Sequence, residues 1–84
     1  MMRQKLKQGI LLALNAADDL PMPESALLSA AVRWCKPAEP TNADAKEALL
    51  DVERYGFVQG ASAPLEETTW TLTTSGIHKA RHLR

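Results

Sequence analysis

Residues 41–76 read TNADAKEALLDVERYGFVQGASAPLEETTWTLTTSG, and the order of signals in this stretch indicates the fold. Thr41 and Asp44 are spaced as in a capping box, which begins a helix. Apolar residues then recur at helical spacing as far as Gly56, a residue that readily takes the left-handed conformation that ends helices. Two strand-like segments around a polar loop follow, and Thr73 or Thr74 caps a new helix. The stretch therefore predicts a helix, a β-hairpin and a further helix.

Two more helices are predicted before this stretch. Apolar residues at i, i+4, i+7, i+8 and i+11 from Leu6 indicate a first helix over about residues 4–17. A short extended piece follows, and Pro23 suits the first turn of a second helix over about residues 23–35. The prolines at positions 37 and 40 cannot continue that helix. Its predicted inner face comprises Leu27, Leu28, Ala31, Trp34 and Cys35.

Size and composition indicate one small globular domain over residues 1–84. The chain has 84 residues, of which 45% are apolar, and a domain of this size buries about 60–65% of its unfolded surface. The lone cysteine, Cys35, cannot form an internal disulfide, which fits the reducing cytoplasm. No apolar run approaches the roughly 18 residues that a membrane span needs. We expect a cytoplasmic protein with no membrane contact.

The pieces ALLDVERYGFV at 48–58 and WTLTTSG at 70–76 resemble the winged helix-turn-helix superfamily, including bacterial transcription regulators of the MarR and PadR types. Together with the preceding helices, the resemblance covers about residues 4–83. It implies a mainly α fold with a small β-hairpin (class α+β), in the order helix, short strand, helix, helix, strand, strand, helix. The third and last helices are expected at about 41–55 and 74–83, and the hairpin, or wing, at about 57–73.

The resemblance also implies that the third helix enters the major groove of double-stranded DNA. The groove-facing candidates are Asn42, Ala43, Lys46, Glu47 and Leu50. Asn42 could form a bidentate contact with adenine, and Lys46 could reach guanine or a phosphate. These residues could equally be the solvated side of a helix.

Charge argues against the DNA-binding interpretation. Residues 41–73 carry two cations against six anions, a net charge of −4, whereas phosphate neutralisation supplies most non-specific affinity. The positive charge lies instead at the two ends of the chain. These residues form an alternative basic face: Arg3, Lys5, Lys7, Lys79, Arg81 and Arg84. Basic residues at the end of a helix also complement its dipole, which is the simpler explanation of the C-terminal ones.

Two functions are therefore weighed. In the first, the chain is a DNA-binding winged-helix protein and transcription regulator, and its first and last helices are the candidate surface for a homodimer. In the second, the fold is a protein–protein interaction module with a protein partner. The contact points would then be Leu50, Leu65 and either Leu11 or Leu12.

Enzymatic and metal chemistry are not expected. His78 and His82 are four residues apart, a spacing that lets two imidazoles reach one ion, but only Cys35 accompanies them. The sequence has no phosphate-binding glycine loop and no nucleophile elbow. We predict no catalytic residue, no cofactor and no metal, and we predict core positions for both Trp34 and Trp70.

Overall fold

The computed structural model describes residues 2–17, 20–36, 38 and 40–83, with side chains from residue 4 onward. In chain order the elements are α1 (Met2–Ala16), β1 (Met22–Pro23), α2 (Glu24–Trp34), α3 (Asn42–Arg54), β2 (Val58–Ala61), β3 (Thr69–Leu72) and α4 (Thr74–Arg81). The class and the order of elements predicted from the sequence are confirmed. None of the helices in these ranges is long and apolar enough to cross a membrane.

The last helix ends earlier than its predicted bound at residue 83. The N–H groups of His82 and Leu83 donate to the carbonyls of Lys79 and Ala80, three residues back. These i→i+3 bonds tighten the final turn, as is common where helices end, so α4 itself stops at Arg81.

The three strands form one antiparallel sheet in the order β1-β3-β2. Met22 pairs with Trp70, and Val58 pairs with Leu72. β1, the short strand before α2, therefore connects the first half of the chain to the hairpin by pairing with β3. Since β3 lies in the centre, it fixes the position of the hairpin relative to α2.

The core contains residues from all four helices and from β2 and β3. α1 contributes Leu6 and Ile10, and α2 contributes Leu27. The inner face of α3 comprises Ala45, Ala48, Leu49 and Val52. Trp70 of β3 and Ala80 of α4 complete this layer. The outer side of α3 is therefore left facing solvent.

One side-chain prediction is wrong, and another is reduced to one of its two residues. Trp34 is 51% exposed rather than buried, because α1 and α2 approach closely at Gly9. A Cβ at Gly9 would lie 3.0 Å from the Cβ of Trp34, so the indole lies over Gly9 at the surface. Of the two leucines weighed as a partner contact, Leu11 is only 3% exposed, whereas Leu12 is half-buried, so only Leu12 has surface to offer a partner.

The caps form as the sequence indicates. The Asp44 N–H donates to Thr41 Oγ1, and the Thr41 N–H donates to Asp44 Oδ2, both at 3.1 Å. Gly56 has φ +82°, the left-handed conformation that turns the chain from α3 into the sheet. Thr73, not Thr74, caps α4, since its Oγ1 accepts the N–H of Gly76 at 3.1 Å. Local hydrogen bonds thus cap the starts of α3 and α4, and Gly56 ends α3.

Candidate nucleic-acid interface

The five groove-facing candidates lie on the outer side of α3. Asn42, Ala43, Glu47 and Leu50 are exposed, and Lys46 is half-buried. Asn42 is the first residue of the helix, directly after the Thr41 cap. The structure therefore presents one continuous helix face with its polar residues in the first two turns.

Lys46 is engaged by a residue of α2. Its Nζ lies 2.7 Å from Glu24 Oε1, and the same oxygen accepts the Trp70 Nε1–H at 3.1 Å. Glu24 thus connects α2, α3 and β3. No local pattern in the sequence indicates this contact, because the two residues of the ion pair are 22 positions apart.

A groove beside the start of α3 carries two further cations. It encloses about 440 Å³, and its lining includes Arg33 and Lys36 from the end of α2 together with Asn42 of α3. Both cations are exposed. Arg33 and Lys36 precede residue 41 in the sequence, so the net charge of residues 41–73 does not include them. The fold thus places both cations beside Asn42, at the polar start of α3.

Three of the six acidic residues in the net charge of −4 form hydrogen bonds or ion pairs within the fold. Asp44 completes the cap of α3, and Asp51 lies 3.9 Å from Lys7 Nζ and 3.6 Å from Arg54 Nη2. Glu67 accepts the Ser25 N–H at 3.0 Å, at the start of α2, where a carboxylate is favoured by the helix dipole.

The other three acidic residues are Glu47, Glu53 and Glu66. All three are exposed, and within the described part of the chain none of them forms an ion pair. The formal count overstates the repulsion that a DNA backbone would meet because it omits Arg33 and Lys36, which lie beside the start of α3.

The hairpin tip offers no cation to a ligand. Residues 61–67 are all exposed and contain no Lys or Arg. Leu65, at φ +65°, is fully exposed at the turn. On the loop side of the hairpin, directly before β3, the Glu24 N–H donates to the Thr68 carbonyl at 2.9 Å. The start of α2 is therefore attached to the hairpin beside its loop, and that loop has no cation to attract a phosphate.

Comparison with solved structures places this arrangement among known folds. A mutant of MepR from S. aureus superposes with a TM-score of 0.73 at 18% identity, over 93% of this chain and 53% of that chain. The chain has a winged helix-turn-helix fold. A structure of MepR, described as a transcription regulator of the Staphylococcus aureus multidrug efflux pump MepA, gives a TM-score of 0.69 at 20% identity. That match covers 98% of this chain and 64% of that one.

MepR bound to ethidium bromide is similar as well, with a TM-score of 0.65 at 20% identity and the same coverage of 98% and 64%. The chain thus spans about half to two thirds of the length of the MepR structures that it matches. No protein-family model matches the sequence, and no curated protein matches it either. In winged-helix terms, α3 occupies the position of the recognition helix and the β2–β3 hairpin that of the wing.

Of the alternative basic face, Lys7 and Lys79 line one groove, and a single basic surface formed by all six residues stays a prediction. Lys7 pairs with Asp51 and lies 5.4 Å from the centre of the Tyr55 ring, so its charge is used within the fold. Lys5 is exposed, as are Lys79 and Arg81. Since two residues along a helix are rotated by about 200°, Lys5 faces away from Lys7. The Arg3 side chain and Arg84 lie outside the described residues.

The first and last helices enclose a second groove, of about 420 Å³. Its lining includes Lys7, Leu11, Tyr55, Phe57 and Lys79. α1 and α4 thus pack against one another within the chain, which occupies part of the surface suggested for a homodimer. That homodimer stays a prediction.

The residues considered for metal chemistry are separated by burial. Cys35 is buried, whereas His78 and His82 are exposed. Among the residues that the structure describes, no group of three His, Cys, Asp or Glu side chains could hold a metal ion.

Proposed function

We propose that this winged helix binds double-stranded DNA and acts as a transcription regulator. In the proposed complex, the first turns of α3 enter the major groove while the end of α2 lies along a phosphate strand. The observation that carries the proposal is the groove in which Arg33 and Lys36 flank Asn42. It combines two phosphate-binding cations with a base-reading side chain at the start of the recognition helix.

This arrangement fits the division of work in helix-turn-helix complexes. N-terminal residues of the recognition helix contact base edges, and the preceding helix crosses the backbone. Asn42 can donate and accept at once and so pairs with the N6 and N7 edge of adenine. Arg33 and Lys36 supply sequence-independent attraction. Asn42 would therefore read a base while the two cations set the position of the helix.

The similarity to MepR supports the regulator role, because MepR is described as a transcription regulator. The comparisons lend no support to the protein-interaction alternative. Leu50 and Leu65 are exposed as that alternative requires, Leu11 is buried, and Leu12 is half-buried. We therefore propose DNA, and not a protein, as the partner.

The test is a fluorescence-anisotropy titration of a labelled random-sequence duplex at about 50 mM and about 200 mM salt. The double variant Arg33→Gln with Lys36→Gln should bind more weakly at the lower salt. For this variant, the slope of log affinity against log salt concentration should be shallower by about 1.8, which corresponds to two lost phosphate contacts.

The matched control is Lys79→Gln with Arg81→Gln, which removes the same charge from exposed positions on α4. It should keep the wild-type salt dependence. If only this control weakens binding, DNA lies on the opposite face and the assigned interface is wrong. If the unmodified protein shows no binding at about 50 mM salt, the DNA-binding function itself is contradicted.

A further inference from the structure

The ion pair between Glu24 and Lys46 lies at the edge of the proposed DNA interface. α3 has two cations, Lys46 and Arg54. Only Lys46 is a groove-facing candidate, because Arg54 is in the last turn of the helix. Its side chain is 41% exposed, whereas that of Glu24 is 22% exposed. The acid that holds this lysine is thus more shielded than the lysine itself, and it comes from another helix.

Glu24 is held both at its backbone N–H and at its carboxylate. Its own N–H donates to the Thr68 carbonyl at 2.9 Å, and the Trp70 indole donates to its carboxylate. The neighbouring Ser25 N–H is bound by Glu67. Exposed ion pairs are usually weak because two long side chains must be ordered to form them. Here the carboxylate is already held in place, so only the lysine side chain has to be ordered.

An ammonium held in this way contributes less to backbone binding than a free one. Lysine has three N–H donors, and Glu24 takes one of them. The remaining two can still reach an acceptor on a base edge in the groove. A phosphate, by contrast, would have to compete with the fixed carboxylate for the same positive charge.

We propose that Glu24 is a specificity-determining residue of the DNA interface. By holding the Lys46 ammonium away from phosphates, it lowers the affinity for DNA of arbitrary sequence and leaves Lys46 to contact bases. This inference rests on the proposed function, and Glu24 acts through Lys46 as a positioning residue rather than by touching DNA.

The test compares Glu24→Gln with Glu47→Gln in the random-duplex titration at about 50 and 200 mM salt. Both variants remove one negative charge, but Glu47 is exposed on the same helix face. Glutamine at position 24 keeps an oxygen that can accept from Trp70, so in a Trp34→Phe background the emission of Trp70 should be unchanged. In Glu24→Gln, the released Lys46 should add one phosphate contact and so steepen the salt slope by about 0.9. Between about 50 and 200 mM salt, this variant should then lose about 3.5-fold more affinity than the wild type.

Glu47→Gln should raise affinity without that steeper slope. Adding Lys46→Gln to Glu24→Gln should restore the wild-type slope, and Lys46→Gln alone should leave it nearly unchanged. Equal slopes for the two glutamate variants would overturn the inference while leaving the DNA-binding function intact. A slope that falls by about 0.9 in Lys46→Gln alone would overturn it independently, because Lys46 would then already neutralise a phosphate. If neither the wild type nor Glu24→Gln binds, the function and the inference fail together.

Discussion

At the scale of single residues, the start of α4 depends on the absence of a side chain at Gly76. This glycine is buried, and a Cβ built on it would fall on the carbonyl oxygen of Phe57 and 3.0 Å from Leu72 Cδ2. The same carbonyl accepts the Thr73 N–H at 3.0 Å. The backbone of α4 therefore packs directly against the turn that leads into β2.

Gly76→Ala should destabilise the protein severely, because a carbonyl in the backbone cannot move aside as the end of a flexible side chain can. We expect the free energy of unfolding to fall by more than about 3 kcal/mol, the upper end of ordinary overpacking costs. Urea denaturation followed by far-UV circular dichroism measures this change.

Gly56→Ala is the matched control at the other structurally informative glycine. Nothing lies within 4 Å of a Cβ built on Gly56, but its φ is +82°. Only the left-handed conformation is penalised there, at a cost of about 1–2 kcal/mol. If Gly56→Ala proved the more damaging of the two, the close approach at Gly76 would not be the reason for that glycine.

At the scale of elements, Thr73 joins the end of α3 to the start of α4. Its hydroxyl accepts the Gly76 N–H and donates to the Gly56 carbonyl at 2.6 Å. Thr73→Val keeps the shape of the side chain and removes both bonds. The expected loss is about 1–2 kcal/mol of unfolding free energy, as for other N-cap replacements.

Thr74→Val, one residue later, provides the control. Thr74 is exposed and is not the cap, so its replacement should stay within about 0.5 kcal/mol of wild type. The same denaturation experiment serves both variants. Equal losses would mean that the hydroxyl of Thr73 does not hold the two elements together.

The elements themselves were predictable because their signals are local. Thr41 with Asp44, and Gly56, act within one turn of the chain, and the apolar spacing of α3 is visible in the sequence. The interface between elements was not predictable in the same way. Trp34 has the helical spacing of a core residue, but its burial depends on how closely α1 approaches at Gly9. The pairing of Lys46 with Glu24, and the nearness of Arg33 to Asn42, depend on the angle between α2 and α3, which periodicity does not contain.

At the scale of the whole molecule, the formal charge is a poor guide to the field around the fold. The sum over residues 41–73 ignores Arg33 and Lys36, which the fold brings to α3. It also leaves out Lys7, which pairs with Asp51, and Glu24, which pairs with Lys46. The proposed DNA face therefore follows from where the helices place the charges and not from their number in one stretch of sequence.

The shared core predicts that the molecule unfolds as one cooperative unit. Leu6, Leu27, Leu49, Trp70 and Ala80 come from α1, α2, α3, β3 and α4 and belong to the same buried cluster, so no element can leave without exposing the others. For a chain of 84 residues, the expected free energy of unfolding is about 4–13 kcal/mol.

Trp70 gives a direct test of this cooperativity. Trp34→Phe removes the half-exposed indole at little cost and leaves Trp70, which is 4% exposed, as the only tryptophan. Its emission should be blue-shifted and protected from iodide in the folded protein. In a urea titration, the Trp70 signal, which reports the sheet, and far-UV circular dichroism, which reports the helices, should share one midpoint. Separate midpoints would mean that the sheet and the helices unfold independently, and the single core would then not be what holds the hairpin against α2.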